Sequence, residues 1–338
     1  MAAGMSAECK GGRLVVLGAN SFAGGCATTA ALRAGMTVLG ISRSTEKIKP
    51  SSGDFGAFGG SYTFLQRDLN RDLDAVIDDL RTFRPAYVID LAGQGMVAES
   101  WRTPEQWYRT NVVSKVMLLD VLREMPSLRR YIRVSTPEVY GNTDGLVGES
   151  LLYQPSTPYA VSHAAIDMHI SAYVKHHQFP AILTRFSNFY GPGQQLYRII
   201  PRTIIYAKLG RKLPLQGGGN ATRAFIYGDD IGSALLAALG AGRVGEVYHF
   251  STDRFITIRK LVEKILALLN LDFDDCVELV DDRPGKDMQY LMSDAKARSE
   301  LNWTDTVPLE TGLMRTIAWV CDNWAQILHE PLEYRHQP

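Results

Sequence analysis

Arg13-Leu-Val-Val-Leu-Gly-Ala-Asn-Ser-Phe-Ala-Gly24 is the stretch that decides the fold. A short apolar run ends at Gly18, and a helical pattern follows from about Phe22 to Ala34. A strand-to-helix turn of this kind aims backbone N–H groups and the positive helix end at a pyrophosphate. Further strands are expected at Thr37–Ile41, Tyr62–Leu65, Tyr87–Leu91 and Tyr131–Val134. Between them a helical pattern runs from about Leu73 to Phe83, where Pro85 breaks it, and longer helices follow. Buried apolar strands alternating with helices predict an α/β fold, a Rossmann-type doubly wound parallel sheet with helices on both faces. After about residue 190 the rhythm loosens into shorter elements rich in Gly and Pro. The expected organisation is a dinucleotide-binding domain over 13–190 and a smaller, intimately packed α/β portion over 191–330. That second portion completes a cleft at the carboxyl edge of the sheet.

Composition sets the class of partner. The 338 residues carry 36 basic and 36 acidic side chains, so no net charge favours nucleic acid or an anionic membrane. No apolar run approaches the roughly 18 residues of a spanning helix. Met1 to Gly12 are small and polar, without the apolar centre of a signal peptide. Cys9, Cys26, Cys276 and Cys321 lack close pairing and metal-type spacing with histidine. They read as thiols of a reducing compartment, and a cytoplasmic protein without a metal is expected.

The chemistry lies in three further stretches. Ile132-Arg-Val-Ser-Thr-Pro-Glu-Val-Tyr-Gly141 ends a strand in a hydroxyl and a carboxylate, Thr136 and Glu138. Tyr159-Ala-Val-Ser-His163 places a phenol and a nitrogen base on one face of a helix. Arg185-Phe-Ser-Asn-Phe-Tyr-Gly-Pro192 ends another strand at the amide of Asn188. Together they suit proton removal from a sugar alcohol coupled to hydride transfer.

This order and spacing resemble the extended short-chain dehydrogenase/reductases that act on nucleotide sugars, over about residues 13–325. The resemblance implies a cofactor site at Gly18, Asn20, Ser21, Phe22, Ala23 and Gly24, with Ser21 where the family has its middle glycine. Ser42-Arg43-Ser44 follows the second strand with no acid for a ribose hydroxyl, and a guanidinium with two hydroxyls favours NADP over NAD. Asp68 and Leu69 match the segment that meets the adenine, and Asp68 is also a candidate helix cap. Leu91, Ala92 and Gly93 match the segment beside the cofactor, and Asn111 matches a helix asparagine that supports the site.

The resemblance also implies roles. Tyr159 is the acid/base, and Thr136 bonds the same sugar oxygen. His163 stands where the family has a lysine that holds the nicotinamide ribose and lowers the phenol pKa, so an imidazolium paired with Tyr159 is expected to take over that work. Glu138 is similar to the glutamate of nucleotide-sugar 4,6-dehydratases, the base for the C5 proton. Pro137 replaces the aspartate of the dTDP-glucose enzymes, which GDP-mannose dehydratases also lack. Asn188, Arg198, Arg223 and Arg283 match residues around the substrate nucleotide and pyrophosphate, where guanidinium forks suit phosphate oxygens. The expected activity is nucleotide-diphosphate-sugar 4,6-dehydration by a homodimer. An epimerase, a UDP-glucuronate-type decarboxylase and a binding protein that has lost turnover are the alternatives.

Overall fold

A computed structural model describes residues 9, 11–46, 59–143, 145–281, 289 and 291–337. Seven parallel strands form its central sheet: β1 (Arg13–Leu17), β2 (Thr37–Ser42), β3 (Ser61–Gln66), β4 (Tyr87–Asp90), β5 (Arg130–Ser135), β6 (Ala181–Phe186) and β7 (Val247–Phe250). They are ordered β3-β2-β1-β4-β5-β6-β7. The chain winds outward from β1 in one direction and from β4 in the other. That reversal opens a crevice beyond the carboxyl ends of β1 and β4.

The strands are apolar because both faces are covered. Leu14 and Val16 point into one core and Val15 and Leu17 into the other, as the period of two in a strand requires. Helices α1 (Phe22–Arg33), α2 (Leu73–Phe83), α3 (Ser114–Leu122), α4 (Pro158–His177) and α5 (Gly228–Ala241) supply the cover. Helices α1 and α5 share the first core; α2, α3 and α4 line the second. A Cβ at Gly232 would lie 2.9 Å from the Ala30 Cβ and from the Cys26 carbonyl oxygen, so α5 reaches α1 only with glycine there. The first four predicted strands and both predicted helices start and end within one residue of their observed limits, and β5 extends one residue further at each end.

Beyond residue 186 a three-stranded sheet joins Asn188–Tyr190, Thr222–Tyr227 and Phe255–Thr257. Helices Ile199–Lys208, Ile258–Leu268 and Leu309–Asp322 pack around it over Tyr190, Ile204, Phe225, Leu261 and Leu313. This portion also returns β7 to the edge of the main sheet, against β6. Among the described residues, no helix is long and apolar enough to cross a membrane.

Candidate active site

The turn after β1 is built for close approach. Gly18 has φ +83°, and a Cβ there would stand 2.8 Å from the Leu91 carbonyl carbon and the Ala92 nitrogen. Only glycine lets this loop lie against the end of β4. Ser21, in place of a glycine, caps α1 by accepting the Gly24 N–H at 3.0 Å. Asn20 ties the loop to the end of β2: its N–H donates to Ser42 Oγ, and its amide donates to the Ser44 carbonyl and hydroxyl oxygens and the Thr45 carbonyl. The side chains of Phe22 and Ala23 go into packing, Phe22 beside Gly191 and Gly228 and Ala23 in the first core. Their backbone N–H groups belong to the first turn of α1, the end that attracts anions.

Around this turn the other cofactor candidates divide into two kinds. Asp68 accepts the Asn70 N–H at 2.8 Å and so closes an Asx turn, while Asp72 occupies the cap position of α2. Leu69 is buried in the second core. Asn111 sits fully buried in a π-helical turn, Arg109–Val113. Its amide donates to the Gln94 carbonyl and Ser162 Oγ, and its oxygen accepts the Gln94 N–H. Asn111 therefore clamps Leu91–Gln94 to the helix carrying Tyr159, and both its amide hydrogens are used within the protein. Arg43 donates to the Gln337 carbonyl at 3.0 Å, and Gln94 donates to the same oxygen at 2.7 Å. The C-terminal segment thus spans the ends of β2 and β4, with His336 stacked on Trp107 at 5.1 Å.

The chemical residues meet at the ends of β5 and α4. Thr136 is buried and caps the short turn Pro137–Tyr140, accepting the Glu138 N–H. That turn packs on α4, with Val139 and Tyr140 against Ala164. Thr157 caps α4 and Pro158 begins it, which places Tyr159 and His163 on consecutive turns with ring centroids 4.6 Å apart.

Behind them lies an ionic cluster that the sequence reading missed. Lys115 Nζ is 2.5 Å from Asp90, Arg133 is 3.3 Å from Asp90, and Arg185 is 3.3 Å from Asp167, all with side chains at most 1% exposed. Tyr131 donates to Asp90 and Ser135 to Asp167. Burial alone would raise the Asp90 carboxyl, but Lys115 and Arg133 hold it below its ordinary value. Burial and Arg133 pull the Lys115 ammonium down to about 7, against the pull of Asp90. Arg133 also reaches His163, with a guanidinium nitrogen 3.1 Å from Nδ1. Burial first, then Arg133 and Lys115, push the His163 pKa well below its ordinary 6.5. Against the expected imidazolium, burial and these two cations favour the neutral ring of His163, with Arg133 in direct contact.

Of the four residues expected around the substrate nucleotide, Asn188 begins the strand that pairs with Phe225–Tyr227. Arg223 is 8% exposed and donates to the Thr222 carbonyl. Arg198 precedes the helix Ile199–Lys208, its guanidinium 5.5 Å above the Tyr197 ring. Arg283 lies outside the described residues. Asp230, at the end of the segment Thr222–Asp230, has a structural role: its buried carboxylate accepts from Thr306 N and Oγ1 and from Val307 N.

The sequence profile of the NAD dependent epimerase/dehydratase family matches residues 14–250. The chain is 34% identical over 285 residues to the dTDP-glucose 4,6-dehydratase of Neisseria gonorrhoeae, covering 78% of this chain and 82% of that one. It spans only 36% of the longer trifunctional UDP-glucose 4,6-dehydratase/UDP-4-keto-6-deoxy-D-glucose 3,5-epimerase/UDP-4-keto-L-rhamnose-reductase of Arabidopsis thaliana, with 33% identity over 240 residues, 70% of this chain. Among solved structures, a double mutant of the dTDP-glucose 4,6-dehydratase of Streptomyces venezuelae, bound to NAD, superposes with a TM-score of 0.83 at 28% identity, covering 93% of this chain and 98% of that one. With its seven-stranded doubly wound sheet and the Gly18 turn at the head of it, the chain belongs to the NAD dependent epimerase/dehydratase family.

Proposed function

We propose that this protein is a nucleotide-diphosphate-sugar 4,6-dehydratase. The observation that carries the reading is Glu138, a carboxylate two residues past Thr136 on a turn packed against the helix of Tyr159 and His163. An epimerase needs to take one hydride off and put it back, whereas dehydration needs a second base. The Gly18 turn, where a Cβ would strike the end of β4, and the N-terminus of α1 fit a dinucleotide. A bound nicotinamide dinucleotide supplies the hydride acceptor for sugar C4 and the hydride donor for C6. Tyr159 takes the C4 hydroxyl proton while Thr136 holds that oxygen. Glu138 removes the C5 proton, which the new C4 ketone has acidified, and gives a proton to the C6 oxygen as water leaves; C5 then takes back a solvent-derived proton through Glu138 as hydride reaches C6. Gly18–Gly24, Ser42, Arg43, Asp68–Leu69 and Leu91–Gly93 line the dinucleotide side; Asn188, Arg198 and Arg223 line the nucleotide-sugar side.

Two finer statements belong to the same proposal. Arg43, with no carboxylate at the end of β2, favours the 2′-phosphate of NADP. Exposed Val113, Met117, Val161 and Met168 lie along the neighbouring helices α3 and α4 and their approach, an apolar stripe that suits a homodimer. Mass spectrometry after incubation with dTDP-glucose, UDP-glucose, GDP-mannose and UDP-glucuronate tests the activity. Loss of about 18 mass units supports dehydration, and an unchanged mass with every sugar refutes it; a loss of about 44 from UDP-glucuronate alone marks a decarboxylase.

A further inference from the structure

Arg133 reaches the catalytic helix from the interior. It sits on β5 beside Asp90 of β4 and Leu183 of β6, buried to 1% exposure. Its two carboxylate neighbours are already held by closer partners. Asp90 has Lys115 at 2.5 Å and Tyr131 at 2.6 Å, and Asp167 has Ser135 at 2.6 Å and Arg185 at 3.3 Å. Arg133 stands farther from both, at 3.3 and 3.9 Å, while its bond to His163 Nδ1 is 3.1 Å. A guanidinium has no acceptor, so the nitrogen it meets offers a lone pair. A neutral imidazole then carries its one hydrogen on Nε2. Burial and the cations Arg133 and Lys115 push His163 toward that neutral form.

We propose that Arg133 is a positioning residue of the active site: it locks His163 as the Nε2–H tautomer and, through that ring, brings a fixed positive charge to bear on the Tyr159 phenol. The inference rests on Tyr159 acting as the acid/base. Lys115, Arg133 and Arg185 face Asp90 and Asp167, three cations against two anions, so the buried cluster carries one excess positive charge when all are ionised. Tyr159 on α4 lies against His163, and Tyr131 on β5 donates to Asp90. Lys115 loses part of its charge near neutrality, being pulled down to about 7. A guanidinium does not, so Arg133 keeps the phenolate favoured across the working range. The site thereby has a cation acting on the phenol although His163 itself is uncharged.

Two experiments decide it. In wild-type holoenzyme labelled with 15N-histidine, the His163 signals, identified by their loss in His163→Gln, are expected to report a neutral Nε2–H ring from pH 5.5 to 8.5. An Nδ1–H ring, or protonation with a midpoint above pH 5.5, overturns the proposal, and this arm needs no variant at Arg133 to fold. The second arm follows cofactor absorbance with dTDP-glucose against pH. Arg133→Met is expected to move the half-maximal pH upward by about one unit, with kcat at pH 7 down about tenfold and KM unchanged, as loss of a nearby cation requires. Arg133→Lys is expected to recover kcat to within about threefold of wild type, a rescue that a packing role would not give. An Arg133→Met profile with the wild-type midpoint overturns the proposal. No cofactor reduction by wild type with any nucleotide sugar overturns the dehydratase reading instead, and the tautomer measurement then decides on Arg133 alone.

Discussion

Lowering the pH from 7.5 to 5.5 is expected to destabilise the folded protein through two buried histidines. His163 is held well below 6.5 by burial, Arg133 and Lys115, and His249 is held at about 3 by burial and Arg185. In the unfolded chain both return to about 6.5 and take up a proton that the folded protein refuses. Stability is therefore full above about pH 6.5 and is lost as the pH falls toward the folded values. One unit below the reference value, each histidine costs about 1.4 kcal/mol, so the pair costs about 2.8 kcal/mol at pH 5.5. Lys115, pulled down to about 7, adds a contribution of the same sign. His163→Gln keeps that contribution and the one from His249, so it isolates one ring: the stability lost between pH 7.5 and 5.5 should shrink by about 1.4 kcal/mol. Urea unfolding of wild type and variant at both pH values measures this. Equal losses in the two proteins, or a wild type that gains stability on acidification, would refute the neutral, buried His163.

Further outcomes follow from other parts of the structure. Arg43→Asp should weaken NADP binding and spare or improve NAD binding in calorimetry on stripped protein; a wild-type preference for NAD above tenfold, about 1.4 kcal/mol, contradicts the role given to Arg43. Asp230→Ala removes three hydrogen bonds to Thr306 and Val307 and should cost about 3 kcal/mol of unfolding free energy, with a cost under about 1 kcal/mol ruling out a structural anchor. Met117→Glu on the exposed stripe of α3 should shift the mass in sedimentation from dimer toward monomer, and an unchanged dimer places the interface elsewhere.

The elements legible in the sequence are those with local signatures. The β1–α1 unit shows an apolar run, a glycine in a conformation that favours glycine, and a serine cap, all within about a dozen residues. Strand β7 is also apolar but short, and nothing local to it says that the chain returns to the main sheet after an excursion through a second one. In the site, Thr136, Glu138, Tyr159 and His163 stood out by residue type and spacing. The charge state of His163 did not, because it depends on burial and on Arg133 and Lys115, which pair with Asp90 and lie on other elements. A signal for them was present: Arg133 interrupts the apolar run Tyr131–Val134, and Asp90 closes another. In a sheet covered on both faces such charges must find partners, and the nearest in space are far in sequence. Asn111 was legible only through the resemblance, and a π-helical turn is what carries it inside.

The central claim is that Glu138 supplies the second base that separates dehydration from epimerisation. It is tested most directly by running the reaction with a turned-over nucleotide sugar in D2O and locating deuterium by NMR and mass spectrometry, in wild type and Glu138→Gln. Wild type is expected to give the 4-keto-6-deoxy product with one solvent deuterium at C5. Glu138→Gln is expected to reduce its bound cofactor yet leave C5 unlabelled and C6 hydroxylated. Full product formation by Glu138→Gln, or a wild-type product without deuterium at C5, would contradict the account.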